Sequence, residues 1–436
     1  MFVSLILSVA CIALSPVLIF FDGTIAQACL TALSAAALAT SVYTIRSEQI
    51  HNLQPMSSRI AFAALLPAAW MLIQALPLGI LGLGHPIWAS AGSALGLNLT
   101  ASISVDPGTT IIVLGRYAGF VALGLAVSII TIDRGYAERI LFTLLAISVL
   151  TALFSLGRPD LIIESDVLGG AVSSTSTIIG IGCIVCVAAT VRAFERSEIK
   201  SQGSRPLAFS SSAPGIAIGI VGFFLCALAL IRIGQKYALL ATVFGLGAFA
   251  ALALIRRLGF GVWGMAAIGA TLIAITFAVF AQTDIIQSSS PLLAFINPGK
   301  DGLTTAERML ADIRWGGSGA GALGELIELY RDVDETTFNA ISGFSTVAIV
   351  AIDLGRPMLI VIGVGVIVLT IILLQGTIRR GRDSFFPATG AGSILVLCIT
   401  SFGDSALLRP AVAIYASVVI GLAIAQSAGR RAHRPT

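Results

Sequence analysis

Apolar residues run along this chain in blocks of roughly twenty, separated by short polar breaks, almost from end to end. A block of that length crosses ~30 Å of hydrocarbon when it coils as an α-helix. In lipid the backbone N–H and C=O groups find no water, so each block must be helical. The pattern predicts spans near 2–21, 25–45, 60–82, 109–131, 137–156 and 173–194. Further spans follow near 214–232, 236–255, 260–281, 356–376, 385–402 and 406–427. One more apolar stretch, 336–354, is shorter and richer in Ser and Thr. It reads either as a thirteenth span or as a helix lying on the outer face.

Composition points the same way. Of 436 residues, 57% are hydrophobic and only 11% charged, with a mean hydropathy of +0.98. A soluble domain carries about 25% charged residues, so this chain cannot build a water-exposed surface of ordinary polarity. The expected class is an all-α polytopic membrane protein with about twelve transmembrane helices.

Charge placement orients it. Short loops rich in Lys and Arg stay on the cytoplasmic side. Twelve spans put Arg46, Arg134, Arg192, Arg256, Arg379 and the tail Arg430, Arg431 and Arg434 on that side together. In all, 16 of the 26 basic residues but only 6 of the 22 acids fall inside. The small net charge of +4 is thus a sum of two opposed faces. A thirteenth span at 336–354 would invert the N-terminal half, so both termini are expected in the cytoplasm. Residues 1–21 contain no Lys or Arg, which favours a retained first helix over a cleaved signal. The organisation expected is nine helices over 1–281, a large periplasmic loop over 282–355, and three helices with a short basic tail over 356–436.

The large loop is the sizeable polar segment of the chain. Between Asp284 and Glu335 it carries nine acids, with Lys300, Arg308, Arg314 and Arg331 as its cations. Loops beyond ~15 residues are usually functional or disordered. Helix-like stretches, Thr304–Trp315 and Ala322–Tyr330, flank the run Gly316-Gly317-Ser318-Gly319-Ala320-Gly321, which reads as a turn. No strand precedes that run, so it lacks the context of a dinucleotide fingerprint. Arg308, Asp312 and Trp315 share one helical spacing, which leaves either an exposed ion pair or a face toward an anionic ligand.

Cations on the outer side are few, and Arg116, Arg232, Lys236, Arg308 and Arg314 are the foremost. A charge at or inside a span end is costly unless paired or reaching water. Snorkelling to the interface is one reading of these residues. The other is a rim of cations for a lipid-linked phosphate or pyrophosphate, for which the arginine fork donates to two oxygens at once. The histidines, His51, His85 and His433, are scattered on both sides, so no histidine metal site or dyad is visible. The cysteines fall in predicted spans. There is no P-loop, no nucleic-acid signature, and no ladder of intramembrane carboxylates. Asp353 and Asp404 are the acids nearest the membrane on the outer side.

Several weak motifs then occur in order. They are Trp70-Met-Leu-Ile-Gln74-Ala-Leu-Pro77, Ser104-Val-Asp106-Pro107 with Arg116-Tyr117, and Lys236-Tyr-Ala-Leu-Leu-Ala. Next come Thr305-Ala-Glu307-Arg308 with Trp315 to Gly321, Gly343-Phe344-Ser345-Thr346 through Asp353-Leu354-Gly355, and Ser401-Phe-Gly-Asp404 through Arg409-Pro410. In this order, over most of the chain, they resemble the O-antigen ligase / O-antigen polymerase family of bacterial surface-polysaccharide enzymes.

The resemblance implies an inverting glycosyltransferase of the bacterial inner membrane. Its donor would be an undecaprenyl-pyrophosphate-linked glycan, used without a metal, nucleotide sugar or other cofactor. Other polysaccharide-assembly proteins are the implied protein partners; nucleic acid is not one. Rim arginines would hold the pyrophosphate, with Arg308 at the position of the loop arginine. Lys236 stands where the family usually has Arg, keeping charge but losing the fork. Phe344 and Ser345 stand where the family has His-Asn, and Phe can neither take nor give a proton. A base is then expected elsewhere, with Glu307, Asp312, Glu325 and Glu328 as candidates, or else catalysis is altered. The readings carried forward are polymerase first and ligase second. A transporter and a non-catalytic assembly partner are the remaining two.

Overall fold

A computed structural model describes residues 1–21, 23–45, 47–79, 82, 84–158, 170–201, 208–258, 291–293, 303–330, 344–379 and 383–427. The described residues form sixteen α-helices and no strand, and the protein is an all-α polytopic membrane protein. In chain order they are α1 (Phe2–Leu14), α2 (Val17–Phe20), α3 (Thr24–Thr44), α4 (Ser47–Ala75), α5 (Ile87–Leu95) and α6 (Pro107–Ile130). Then come α7 (Arg134–Gly157), α8 (Ala171–Ser201), α9 (Ala208–Ile233), α10 (Lys236–Leu258) and α11 (Leu303–Ala311). The last five are α12 (Leu323–Tyr330), α13 (Thr346–Leu354), α14 (Arg356–Arg379), α15 (Phe385–Gly403) and α16 (Pro410–Ser427).

Among the described residues nine helices are long and apolar enough to cross a membrane: α3, α6 to α10, and α14 to α16. Helix α1 and the Ala61–Ala75 part of α4 are apolar but shorter. The predicted span 260–281 lies outside the described residues, as do Lys300, Arg331 and the basic tail.

Where elements differ from the sequence expectation, local chemistry explains it. The expected first span breaks after Leu14 because Pro16 has no N–H to continue the ladder. Ser15 covers the free end, its backbone N–H and its hydroxyl both donating to the Ile12 carbonyl. The expected last span starts late: Ala406–Leu408 is a 3-10 turn, and α16 opens at Pro410. Of the ambiguous stretch 336–354, the described part is α13, nine residues or ~14 Å long. That is too short to cross. Both its ends are tied to the same end of the bundle, to Asp404 at one and to Trp70 and Gln74 at the other.

Helices α3, α4 and α16 surround α6, while α7, α9, α10 and α15 surround α8. Lipid tails are as apolar as the side chains, so close backbone approach and interhelical hydrogen bonds hold such a bundle together. The Tyr415 hydroxyl donates to the Leu144 carbonyl at 2.6 Å, and the Gln426 amide donates to the Thr131 carbonyl. At the end away from α13, Glu138 receives Arg134, Arg192 and Arg196, and Arg134 also meets Asp383. Arg192 is buried, and its partner satisfies a charge that would otherwise be costly there.

Helices α6 and α16 cross at glycine. A β-carbon on Gly421 would lie 2.4 Å from the Gly124 carbonyl oxygen. Gly421→Val is expected to push the two helices apart and cost ~1–3 kcal/mol, as overpacking does. Thermal unfolding in detergent measures this, and an unshifted midpoint would remove the crossing from the account.

Candidate functional site

The site is built where the non-spanning segments fold over one end of the bundle. Chain leaving α4 returns through α5 to the start of α6. Gly79 N–H donates to Ala101 O at 2.7 Å, and Ser104 N–H to Gln74 O at 3.0 Å. Asp106 then caps α6, accepting from Gly108 N–H, Thr109 N–H and the Thr109 hydroxyl. Those bonds, that of the Thr109 hydroxyl foremost, hold its carboxyl below the usual range. Pro107 follows at a position where no N–H is needed.

The glycine-rich run is a turn laid across the end of α13. Gly317, Gly319 and Gly321 all have positive φ, at 73°, 105° and 82°. A β-carbon at Gly317 would meet the Asp353 carbonyl oxygen at 2.3 Å, so the run must be bare to approach this closely. Ser318 N–H donates to Ile352 O and Gly319 N–H to Asp353 O. The turn is also tied to α6, where Thr110 Oγ1 donates to Ala320 O at 3.1 Å.

Helix α4 completes the assembly. The Gln74 amide nitrogen donates to Gly316 O at 2.8 Å and to Asp353 O at 2.9 Å, and Trp70 Nε1 donates to Leu354 O at 2.9 Å. On the other side, the Thr346 N–H and hydroxyl both donate to the Asp404 carbonyl. Asp404 Oδ1 accepts from Ala406 N–H, and Oδ2 accepts from the Tyr237 hydroxyl at 2.8 Å. Segments that lie far apart in the chain are thus one hydrogen-bonded structure.

Beneath it lies a cavity of about 580 Å³ between α4, α6, α13, α14 and α16. Its described lining is apolar apart from a few polar groups, and its charged residues are Arg116 and Asp353. They have an order in depth. Asp353 sits against the glycine-rich turn, where Gly321 packs on Thr109 and Val113 of α6. Arg116 is about one helical turn deeper than Val113, ~5 Å along α6. From Arg116 to Ser128 the helix descends a further ~18 Å past Phe120, Val121 and Leu125, facing Ile420 and Ile424 of α16.

Asp353 itself is 7% exposed. Oδ2 accepts from Gly321 N–H at 2.8 Å, while Oδ1 is buried with no partner. Burial raises its carboxyl to about 7, against the opposing pull of the Gly321 and Leu323 N–H groups.

The other residues expected at a site are placed as follows. Arg308 and Glu307 are on α11, where Arg308 is exposed and Nη1 reaches the Tyr330 carbonyl at 3.4 Å. Asp312 lies just past the end of α11 and meets the Tyr330 hydroxyl, which burial and this carboxylate push up. The helix stops at Ala311 rather than at Trp315, so the expected common face ends early and Trp315 stands 83% exposed beside the turn. Arg314 Nη1 points at Gly84 O, 3.5 Å away. Burial and the nearby Arg314 lower the imidazole of His85. Arg232 and Lys236 are exposed at the α9–α10 turn. Of the residues given a site role from sequence, Arg116 alone is among the described residues that line the cavity.

Phe344 and Ser345 have structural occupations. Phe344, 1% exposed, packs with Leu293, Met309, Leu326 and Ile349 in a small core under α11 and α12. The Ser345 hydroxyl caps α13, accepting from Ala348 N–H at 3.0 Å and donating to Leu292 O at 2.6 Å. Sequence reasoning gave Gln74 and Asp353 no role in a site. An acid inside the otherwise apolar run Val347–Leu354 was the available signal, because such a charge needs a reason to be there.

No family model matches the chain, and no curated protein is significantly similar to it.

Proposed function

We propose that the protein is a glycosyltransferase of the bacterial inner membrane that takes its glycan from a polyprenyl-pyrophosphate carrier of the undecaprenyl type. The observation that carries this reading is the order of groups along the cavity. A deep apolar section comes first, then the Arg116 guanidinium, then the Asp353 carboxylate under the glycine-rich turn. A polyprenyl-linked glycan has the same order: apolar chain, pyrophosphate, sugar. The cavity volume is in the range of ~300–1,000 Å³ typical for sites that enclose a small ligand. In this assignment it holds the headgroup and the first part of the chain.

Arg116 holds the pyrophosphate and stabilises the charge that builds on it as the sugar departs, through donors fixed in a water-poor setting. Arg308, at the position matched by the resemblance, is the exposed cation on the roof and the second candidate for that charge. Arg232, Lys236 and Arg314 are not among the cavity's described lining residues. Polymerase is placed ahead of ligase on the likeness of the loop segment to exopolysaccharide polymerases. The charge asymmetry of the chain supports a roof on the periplasmic side.

The test is deletion of the gene, followed by analysis of lipid-linked glycans and surface polysaccharide. Accumulated single repeats without long chains are the expected result. Long chains retained on the carrier would instead assign a ligase. Unchanged glycans in both pools would end the proposal and leave transport as the alternative.

A further inference from the structure

We propose that Asp353 is the proton acceptor of the transfer step, taking the proton of the acceptor sugar's hydroxyl as that oxygen attacks the donor sugar. This rests on the glycosyltransferase reading above and extends it to a residue that was not among the candidate bases.

The geometry is specific. Asp353 and Arg116 are the charged groups among the described residues lining the cavity, Asp353 beside Gly321 and Arg116 about one helical turn along α6 from Val113, on which Gly321 packs. One carboxylate oxygen is anchored by Gly321 N–H, which fixes the group's orientation; the other is buried and unpaired. An unpaired buried acceptor costs free energy, and a catalytic role is one reason for a protein to keep it. The remaining acids are less suited. Asp404 has both side-chain oxygens engaged, by Ala406 and Tyr237. Glu307, Asp312, Glu325 and Glu328 are not among the described lining residues. Phe344 fills an apolar core.

In the step, the acceptor hydroxyl oxygen bonds to the anomeric carbon and its proton passes to Asp353. The bond from that carbon to the phosphate oxygen breaks, and its electron pair leaves with the carrier pyrophosphate beside Arg116. Asp353 then returns its proton to water. No oxidant, metal or second cofactor is required.

Charged groups on the elements packed around α13 are Glu307 and Arg308 on α11, Glu325 and Glu328 on α12, and Arg356 on α14. Asp404 and Arg409 flank the 3-10 turn, and Arg116 faces the cavity from α6. Burial is the dominant influence on Asp353 and raises its carboxyl to about 7. A base must be ionised, so turnover is expected to rise with pH through about 7 and to fall below it.

The experiment uses the full-length protein in lipid nanodiscs, with an undecaprenyl-pyrophosphate-linked oligosaccharide as donor and acceptor. Carrier binding is measured separately with undecaprenyl pyrophosphate alone. Asp353→Asn keeps an oxygen for Gly321 N–H but removes the base. It is expected to bind carrier within about two-fold of wild type and to lose about 10²–10⁴-fold in turnover, with a flattened pH profile. Asp353→Glu should recover part of the rate. Wild-type turnover in Asp353→Asn would overturn the assignment while leaving the glycosyltransferase reading intact. A wild-type protein that neither binds carrier nor transfers glycan would overturn both. Should Asp353→Asn fail to fold, the wild-type pH profile decides, and a rate flat through pH 7 overturns the proposal.

Discussion

Replacing Arg116 with alanine is expected to abolish carrier-dependent glycan transfer while leaving a folded protein. Arg116 lies about two turns into α6, half-buried on the cavity wall. A guanidinium at that depth is expensive in a membrane protein and is kept where it meets water, a partner or a substrate. Its fork can donate to two phosphate oxygens at once, and such donors are worth about 10²–10³-fold each when aimed at developing charge. Loss of that order is expected in turnover, together with weaker binding of undecaprenyl pyrophosphate. Arg116→Lys keeps the charge without the fork and should fall between. The contrast is with Arg308→Ala, which removes an exposed roof cation. It is expected to reduce turnover, but with carrier binding less affected, since Arg308 is not among the cavity's described lining residues. Equal carrier binding and turnover in wild type and Arg116→Ala would take the pyrophosphate out of this cavity.

The nine spans found among the described residues were legible because their cause is local. An apolar block of ~20 residues has one stable form in lipid whatever surrounds it. Exceptions such as the break at Pro16 are local too. The turn at Gly316–Gly321 was likewise readable from its glycines. The site was not, because its bonds join residues far apart: Gln74 to Gly316 is a separation of 242 residues, and Gln74 to Asp353 one of 279. No periodicity reports such pairs. Arg116 stood out because charges within spans are rare, whereas the loop acids stood out only as a group. Asp353 was legible only as one of two acids nearest the membrane on the outer side, with nothing to choose it over Asp404. Its burial, which sets it apart, comes from the glycine-rich turn folding onto α13 and is a property of the tertiary structure alone.

Gln74→Leu is expected to detach the roof from the bundle and to inactivate the protein with it. The Gln74 side chain is fully buried, and its amide nitrogen serves both Gly316 O and Asp353 O. Leucine fills a similar volume but donates nothing. Gly319 N–H still reaches Asp353 O, so the Gly316 carbonyl suffers most. A buried polar group left unpaired costs ~1–3 kcal/mol, and the cost falls on the contact that holds the turn against Asp353. Hydrogen exchange should therefore speed up at Val105, Ser318, Gly319 and Gly321, whose N–H groups are bonded within the roof. Amides in α8 and α15, which pack against each other within the bundle, should stay protected. Gln74→Glu should be worse near neutral pH, since a carboxylate would face two carbonyl oxygens. Its defect should lessen in acid, where the protonated group regains one donor. A uniform loss of protection across the bundle would instead make Gln74 a general packing residue. Unchanged exchange in Gln74→Leu would mean that the roof is held elsewhere, through Ser104–Thr110 and the Asp404 clasp. The selective pattern is the outcome that ties the fold of the roof to the chemistry beneath it, because the same turn that Gln74 holds in place also orients the carboxylate of Asp353.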